Sequence, residues 1–382
     1  MRIDDISCFA QERVAAAKIM VVGCGALGNE VLKHLALFGM GHLVIVDFDT
    51  VEPRNLSRSV FYRLTDAEGH RYKVEVMAER LHELNPDVDI KTICGDVAYD
   101  VGLGLIREMD VVIGCVDSRW ARYCINRLCM RAGKPWVDGG IGELEGTARV
   151  FVPGKNCYAC NLGDEGLEEL RRRMPCSGTI KRNLDAGKAP TTSIVASIVG
   201  AVEVQEALKI INENVNLNDN ENVNEKFSSL CGKMFYYEGG HLTTKLVDFQ
   251  AYDDDCPVHE CWEPVTESPL TNTTTVTDTL TWISSHLAIS DPRFSIPNDC
   301  FVDYVENRSD NKRIEMMTAG RNVAEKMEKE VALSGMPLSG FYQHEYKTID
   351  GSFPFPHLTL AELGIPEREI LRVNNEQYIL IK

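Results

Sequence analysis

From Lys18 to about Val152, short apolar runs alternate with longer amphipathic stretches. The runs predict strands at 18–22, 42–46, 90–94, 110–115, 135–138 and 147–152, since a strand covered on both faces reads as an unbroken apolar segment. Between them, apolar residues at helical spacing predict helices at 29–38, 69–84, 102–108 and 118–132. Such alternation predicts an α/β fold, a Rossmann-like and mostly parallel sheet with flanking helices. Residues 153–190 lose the pattern, and about 161–190 reads as an inserted loop holding Cys176 and several arginines. A helix rich in small and apolar residues resumes over 192–211, a polar Asn-rich loop spans 212–225, and strands follow at 233–238 and 242–248. Residues 265–279, with proline, serine and threonines at 271, 273, 274, 275 and 277, read as a linker. The expected organisation is a first domain over 1–264 and a smaller C-terminal α+β domain over 280–382.

Composition narrows the function classes. A chain of 382 residues has room for two or three domains with proper cores. Its apolar runs fall far short of a bilayer span and no signal peptide is visible, so the expectation is a cytoplasmic protein with no membrane partner. A formal net charge of −17 argues against nucleic acid. The 13 cysteines do not read as a disulfide framework. Cys24, Cys115, Cys124 and Cys129 lie in apolar or helical contexts, while Cys157, Cys160, Cys176, Cys256 and Cys261 group into a pattern of metal ligands plus a nucleophile.

The chemistry starts at Gly23-Cys-Gly25-Ala26-Leu27-Gly28, between the first strand and the first helix. Gly-x-Gly-x-x-Gly in that setting is a phosphate cradle, usually read as a dinucleotide site. The residues that follow change the ligand. Asp47 and Asp49 end the second strand, and Asp49 lies 21 residues beyond Gly28, well placed for ribose hydroxyls. Asn55, Arg58 and Lys73 add donors and positive charge, and Asp117 follows the strand at 110–115 as a magnesium-binding carboxylate. A redox enzyme has no evident need of these groups, whereas adenylation of a carboxylate by Mg-ATP uses all of them. Taken singly, Lys73 reads as a surface helix lysine and Asp117 as a helix N-cap.

These segments, with Val46-Asp-Phe-Asp-Thr-Val51, Asn55-Leu-Ser-Arg58, Asn85-Pro86, Val116-Asp-Ser118, Val137-Asp-Gly-Gly140 and Gly146-Thr-Ala-Arg-Val150, make the chain resemble the ubiquitin-like-protein activating enzymes and their ThiF/MoeB/HesA-type sulfur-carrier relatives. The resemblance covers about residues 11–262. Ser59-Val60-Phe61 stands where the family usually has glutamine and phenylalanine. The resemblance implies an ATP-dependent adenylyltransferase with ATP and Mg2+ as ligands. It also implies a structural Zn2+ held by Cys157, Cys160 and Cys256, with Cys261 as fourth ligand or His259 in its place. Cys176 matches the family's thioester cysteine, and Arg171, Arg172, Arg173, Lys181 and Arg182 around it favour the thiolate. The closing segments Leu358-Thr-Leu-Ala-Glu-Leu-Gly364 and Tyr378-Ile-Leu-Ile381 are similar to the end of a ubiquitin-fold domain that docks a conjugating enzyme. The implied partners are a ubiquitin-like protein with a C-terminal glycine, a conjugating enzyme and a second subunit, as homodimer or heterodimer. The family's trans-acting arginine would fall to Arg2 or Arg13. A sulfur-carrier protein or a ribosomal precursor peptide is the alternative substrate, and a non-catalytic partner subunit would lack part of the ATP set.

Overall fold

The computed structural model describes residues 10–163, 165–166, 170, 191–213, 229–249, 251–307, 312–317 and 341–382. They fall into two units, one built on residues 10–97, 106–166 and 191–261, the other on 98–105 and 262–382. No helix among the described residues is long and apolar enough to cross a membrane.

The first unit is an eight-stranded sheet. Strands β1 (Lys18–Val22), β2 (His42–Val46), β3 (Asp89–Ile93), β4 (Val111–Gly114) and β5 (Trp136–Ile141) pair in parallel. β6 (Glu145–Phe151), β7 (Lys233–Glu238) and β8 (Thr243–Asp248) extend it antiparallel, giving the order β3-β2-β1-β4-β5-β6-β7-β8. The chain moves from β1 outward to β3 and then crosses back to β4. The order therefore reverses between β1 and β4, where open α/β sheets form a crevice at the strands' carboxyl ends.

Helices α1 (Gln11–Ala16), α2 (Ala26–Leu37), α3 (Leu64–Glu68), α4 (Lys73–Leu84), α5 (Leu103–Glu108), α6 (Arg119–Ala132) and α7 (Ser193–Glu213) complete the crossovers. α2 and α7 pack on each other, and their buried Val31, Leu35, Val199 and Ala207 join a core that includes Ile19, Val21, Ile45 and Ile113. α6 has a clear start and stop: the Ser118 hydroxyl accepts from Ala121 N at 3.0 Å, and Gly133 ends the helix at φ +67°.

Two expected elements come out differently. The helix expected over 69–84 begins only at Lys73, as α4, with α3 a separate short helix before it, because residues 71–72 are held extended: Val51 N donates to Arg71 O and Lys73 N to Asp49 O, at 2.8 and 2.9 Å. The linker reading of 265–279 is corrected. Val265–Glu267 form β9, which pairs in parallel with β14 (Gln377–Leu380), and Thr275 caps α8 (Val276–Leu287) by accepting from Asp278 N. Threonine suits both an edge strand and an N-cap, so the composition that suggested a flexible tether serves ordered structure.

The second unit is a mixed α+β body. β10 (Phe294–Asn307), β11 (Lys312–Met317), β12 (Phe341–Ile349) and β13 (Ile370–Val373) join β9 and β14 in the order β11-β10-β13-β14-β9, with β12 also on β10. α8 buries Val276, Leu280 and Ile283 against Phe294, Leu371 and Ile379.

Candidate active site

Three loops meet at the crevice. Gly23 N bonds Val46 O and Cys115 N bonds Val22 O, both at 2.8 Å, tying together the ends of β1, β2 and β4. The three glycines do different jobs. Gly23 sits at φ +101°, and a Cβ there would lie 2.4 Å from Cys115 O. A Cβ on Gly28 would lie 1.9 Å from Gly23 O, so α2 can pack on the turn only without one. Gly25 has nothing within 4 Å of a Cβ position. It is also the N-cap of α2 and supplies no capping side chain, so the helix presents open N–H groups beside free space. Ala26 and Leu27 form the buried first turn. That combination has the chemistry to receive an anion.

Asp47 braces the cradle. Its Oδ2 accepts from Cys24 N at 2.6 Å and its Oδ1 from Asp49 N at 2.8 Å, so both oxygens serve the backbone. Burial raises its carboxyl, with Lys73 acting in the opposite direction. Asp49 lies further out and pairs through Oδ2 with Lys73 Nζ at 2.9 Å. The Lys73 side chain is only 7% exposed. Burial alone would lower its ammonium, but Asp47 and Asp49 outweigh that and hold it above the ordinary lysine value. Lys73 is therefore a buried, fully charged cation rather than a surface helix lysine.

Asn55 ends a short 3-10 turn, Pro53–Asn55, and its Oδ1 accepts from Glu52 N at 2.9 Å, which leaves only its amide hydrogens to donate. Arg58 is half-buried. Asp117 is exposed on the loop after β4, and the N-cap role falls to its neighbour Ser118. Cys24 and Cys115 stand beside the loop as buried thiols pushed well up by burial, which leaves neither a nucleophile. Cys176 lies outside the described residues, as does Arg2. Arg13 donates from Nη1 to Asn212 O.

Sequence reasoning missed two braces. Asn29 Nδ2 donates to Cys24 O and Gly25 O at 3.0 and 2.9 Å, while its Oδ1 accepts from Phe61 N at 3.1 Å. Tyr62 Oη donates to Cys24 O at 2.6 Å. Together they fasten the segment after Arg58 onto the cradle. An asparagine directly after the third glycine was a usable signal, since asparagine is a poor residue for a buried helical turn. Tyr62 gave none.

Beside this crevice lies a second charged group. Asp138 on β5 is fully buried between Arg122 Nε, at 2.8 Å, and Arg149 Nη2, and Arg122 Nη2 also donates to Gly139 O at 2.8 Å. Glu203 of α7 is buried against Gly139, and neither carboxyl oxygen has a hydrogen-bond partner among the described residues. Burial foremost, then Asp138, pushes its pKa well up, and Arg122 offsets only part.

The cysteine pairs also converge. Cys157 Sγ lies 3.6 Å from Cys160 Sγ and 3.7 Å from Cys256 Sγ, and Cys160 Sγ lies 3.2 Å from His259 Nε2. All four ligand atoms lie within 4.8 Å of one another. A tetrahedral zinc with Zn–S arms of about 2.3 Å has S···S edges near ~3.8 Å, so the sulfur spacing fits such an ion. The expectation of Cys261 as fourth member is corrected: its Sγ instead lies 3.7 Å from Arg131 O at the end of α6. One extra residue in Cys256-Pro-Val-His259-Glu-Cys261 carries Cys261 past the cluster, and His259 keeps the two-residue spacing.

Comparison with known proteins agrees with this architecture. The ThiF family profile matches residues 1–258. The SAMP-activating enzyme E1 of Haloferax volcanii is 30% identical over 256 residues, covering 67% of this chain and 85% of that protein. The sulfur carrier protein adenylyltransferase of Thermus thermophilus is 31% identical over 207 residues, 54% of this chain and 71% of its own length. The mouse adenylyltransferase and sulfurtransferase MOCS3 is 33% identical over 209 residues, 54% of this chain, which spans only 42% of MOCS3. Among solved structures, the crystal structure of E. coli MccB with succinimide aligns at TM-score 0.51 and 22% identity, over 66% of this chain and 68% of that one, a likeness of fold. The chain therefore belongs to the ThiF family, as an ATP-dependent adenylyltransferase of the E1-like kind.

Proposed function

We propose that this enzyme adenylates the C-terminal carboxylate of a ubiquitin-like protein, takes the acyl group on Cys176 as a thioester, and passes it to a conjugating enzyme docked by the second unit. The observation that carries the adenylation step is the open N-terminus of α2 over Gly25 beside the buried, charged Lys73–Asp49 pair. The α2 N–H groups, Arg58 and Lys73 bind the polyphosphate, Asn55 donates to it, and Asp49 serves the ribose. Asp117, a carboxylate at the sheet's carboxyl edge, has the right chemistry for magnesium, whose charge would offset that of the departing pyrophosphate. The substrate carboxylate attacks the α-phosphorus, the bond to the bridging oxygen breaks, and the electron pair leaves with pyrophosphate. No proton moves in this step. A site made of fixed cations and backbone donors, with no general base, suits it. In the second step the Cys176 thiolate attacks the acyl carbon and AMP departs with the bonding electrons. Zinc in the Cys/His cluster would tie the segment after β6 to the segment after β8. A second subunit, identical or related, is part of the reading, as is the absence of nucleic-acid and membrane partners, which the net charge of −17 supports.

ATP–pyrophosphate exchange in the presence of candidate carriers tests the first step. Asp117→Ala should abolish exchange. Cys176→Ala should keep exchange but lose a carrier conjugate that thiol reductant cleaves. If Cys176→Ala still forms that conjugate, the thioester assignment is wrong. A sulfur-carrier adenylyltransferase is the second reading, supported by the similarity to the T. thermophilus protein. It shares the first step but yields no reductant-sensitive conjugate with a conjugating enzyme, so paired reducing and non-reducing gels separate the two.

A further inference from the structure

We propose that the metal site of this chain is a three-sulfur, one-nitrogen site in which Tyr252 acts as an aromatic clamp, holding His259 so that Nε2 is the donor atom. It rests on the metal site being filled, and not on which carrier is activated. Three observations lead to it. The Tyr252 and His259 rings stack, with centroids 4.4 Å apart and planes 21° from parallel. His259 Nε2 is the nitrogen that faces the sulfurs, 3.2 Å from Cys160 Sγ. On the far side of the ring, Nδ1 is buried and has no hydrogen-bond partner among the described residues.

A metal-ligating histidine is ordinarily oriented by a hydrogen bond from its other ring nitrogen to a carboxylate or carbonyl. Among the described residues that second nitrogen has no acceptor, so packing is what sets the ring's angle. A parallel tyrosine face does this, because rotating the imidazole about its χ2 axis would break the stack. Cys261 is set apart by position. Its Sγ points to the Arg131 carbonyl at the C-terminal end of α6, 3.7 Å away, and is not among the four clustered ligand atoms. The set Cys157, Cys160, Cys256 and His259 would carry one negative charge less than four cysteines around the same ion.

The test uses the full-length protein. Metal is quantified as purified, then replaced by cobalt(II), whose visible absorption distinguishes three-sulfur from four-sulfur coordination. Wild type should bind one ion with the three-sulfur signature, and Cys261→Ser should leave stoichiometry and spectrum unchanged. His259→Cys should shift the spectrum to four sulfurs. Tyr252→Ala should release metal to a chelator about 10-fold faster, and Tyr252→Phe, which keeps the ring, should restore the wild-type rate. A four-sulfur spectrum in wild type, loss of a sulfur ligand in Cys261→Ser, or no metal after reconstitution would each overturn the assignment. Equal release rates for Tyr252→Ala and wild type would overturn the clamp. Because Cys261→Ser and Tyr252→Phe alter single polar atoms, misfolding of the harsher variants does not blunt the test.

Discussion

Substituting Gly25 and Gly28 separates ligand approach from packing within one motif. Gly25→Ala meets no atom within 4 Å, and its φ of −70° suits any residue, so thermal stability should match wild type. The new methyl would nonetheless occupy the space a phosphate needs. The KM for ATP in pyrophosphate exchange should rise about tenfold, the value of one charge-assisted hydrogen bond. Gly28→Ala must displace the Gly23 carbonyl, 1.9 Å from the added Cβ, and should lower stability by about 2–3 kcal/mol in a denaturant titration. If the two variants behave alike, the division of labour is wrong. Lys73→Met leaves Asp47 and Asp49 facing each other without their cation. With Asp49 one-third exposed and its charge partly screened, the expected loss is about 2–3 kcal/mol, together with loss of exchange activity. The glycines were legible in the sequence because the motif ties residue type to backbone geometry. The bracing role of Asp47 was not, because a carboxylate at a strand end looks the same whether it binds a ribose or two backbone N–H groups.

α7 shows how an element can hide its chemistry. Its sequence reads as a buried helix of small and apolar residues, and it is one, yet it places Glu203 against Gly139 of β5 with no hydrogen-bond partner among the described residues. Burial first, and Asp138 second, hold that carboxyl well above its ordinary value of 4.5, so the native state keeps a proton that the unfolded chain releases. The unfolded state then binds fewer protons than the native one from about pH 4.5 upward, and stability must fall as pH rises through that window. Glu203→Gln removes this dependence. Its Tm should vary less between pH 5 and pH 9 than that of wild type and should exceed it at the alkaline end. A Tm gap that is constant across that range would mean that Glu203 is not protonated in the native state. The late start of the helix expected at 69–84 belongs to the same scale. Periodicity registers helical spacing but not the Val51–Arg71 and Asp49–Lys73 backbone bonds that hold residues 71–72 extended.

At the scale of the molecule, the described residues build one hydrophobic core around the eight-stranded sheet and another around α8 and the smaller sheet. Residues 98–105 belong to the second, although the chain on either side belongs to the first. Gly104 N donates to Arg368 O at 2.7 Å, and the buried Glu369 carboxylate accepts from Leu103 N and Ile370 N at 3.1 and 2.8 Å. Glu369→Ala leaves two buried N–H groups unpaired and should weaken the second unit by about 2 kcal/mol, read by calorimetry as a lowered transition. A non-hydrolysable ATP analogue at 100 times its Kd should stabilise the first unit by about 2.7 kcal/mol. A nucleotide effect that vanishes in Glu369→Ala would contradict the assignment of these roles to separate cores.

The sequence by itself determined the α/β class, most strands of the large sheet, the glycine turn between β1 and α2 and three of the four clustered metal-ligand candidates. All of these rest on local signals: alternation of apolar runs, glycines at fixed offsets, and closely spaced cysteines. Tertiary structure alone decided the rest. It put Lys73 against Asp49 across 24 residues, chose His259 over Cys261, turned the supposed linker into β9 and a helix cap, and buried Glu203 beside β5. Each of these depends on segments distant in the chain approaching within a few ångströms. No pattern along a single sequence records that approach, because its outcome is set by which faces pack and not by which residues are neighbours.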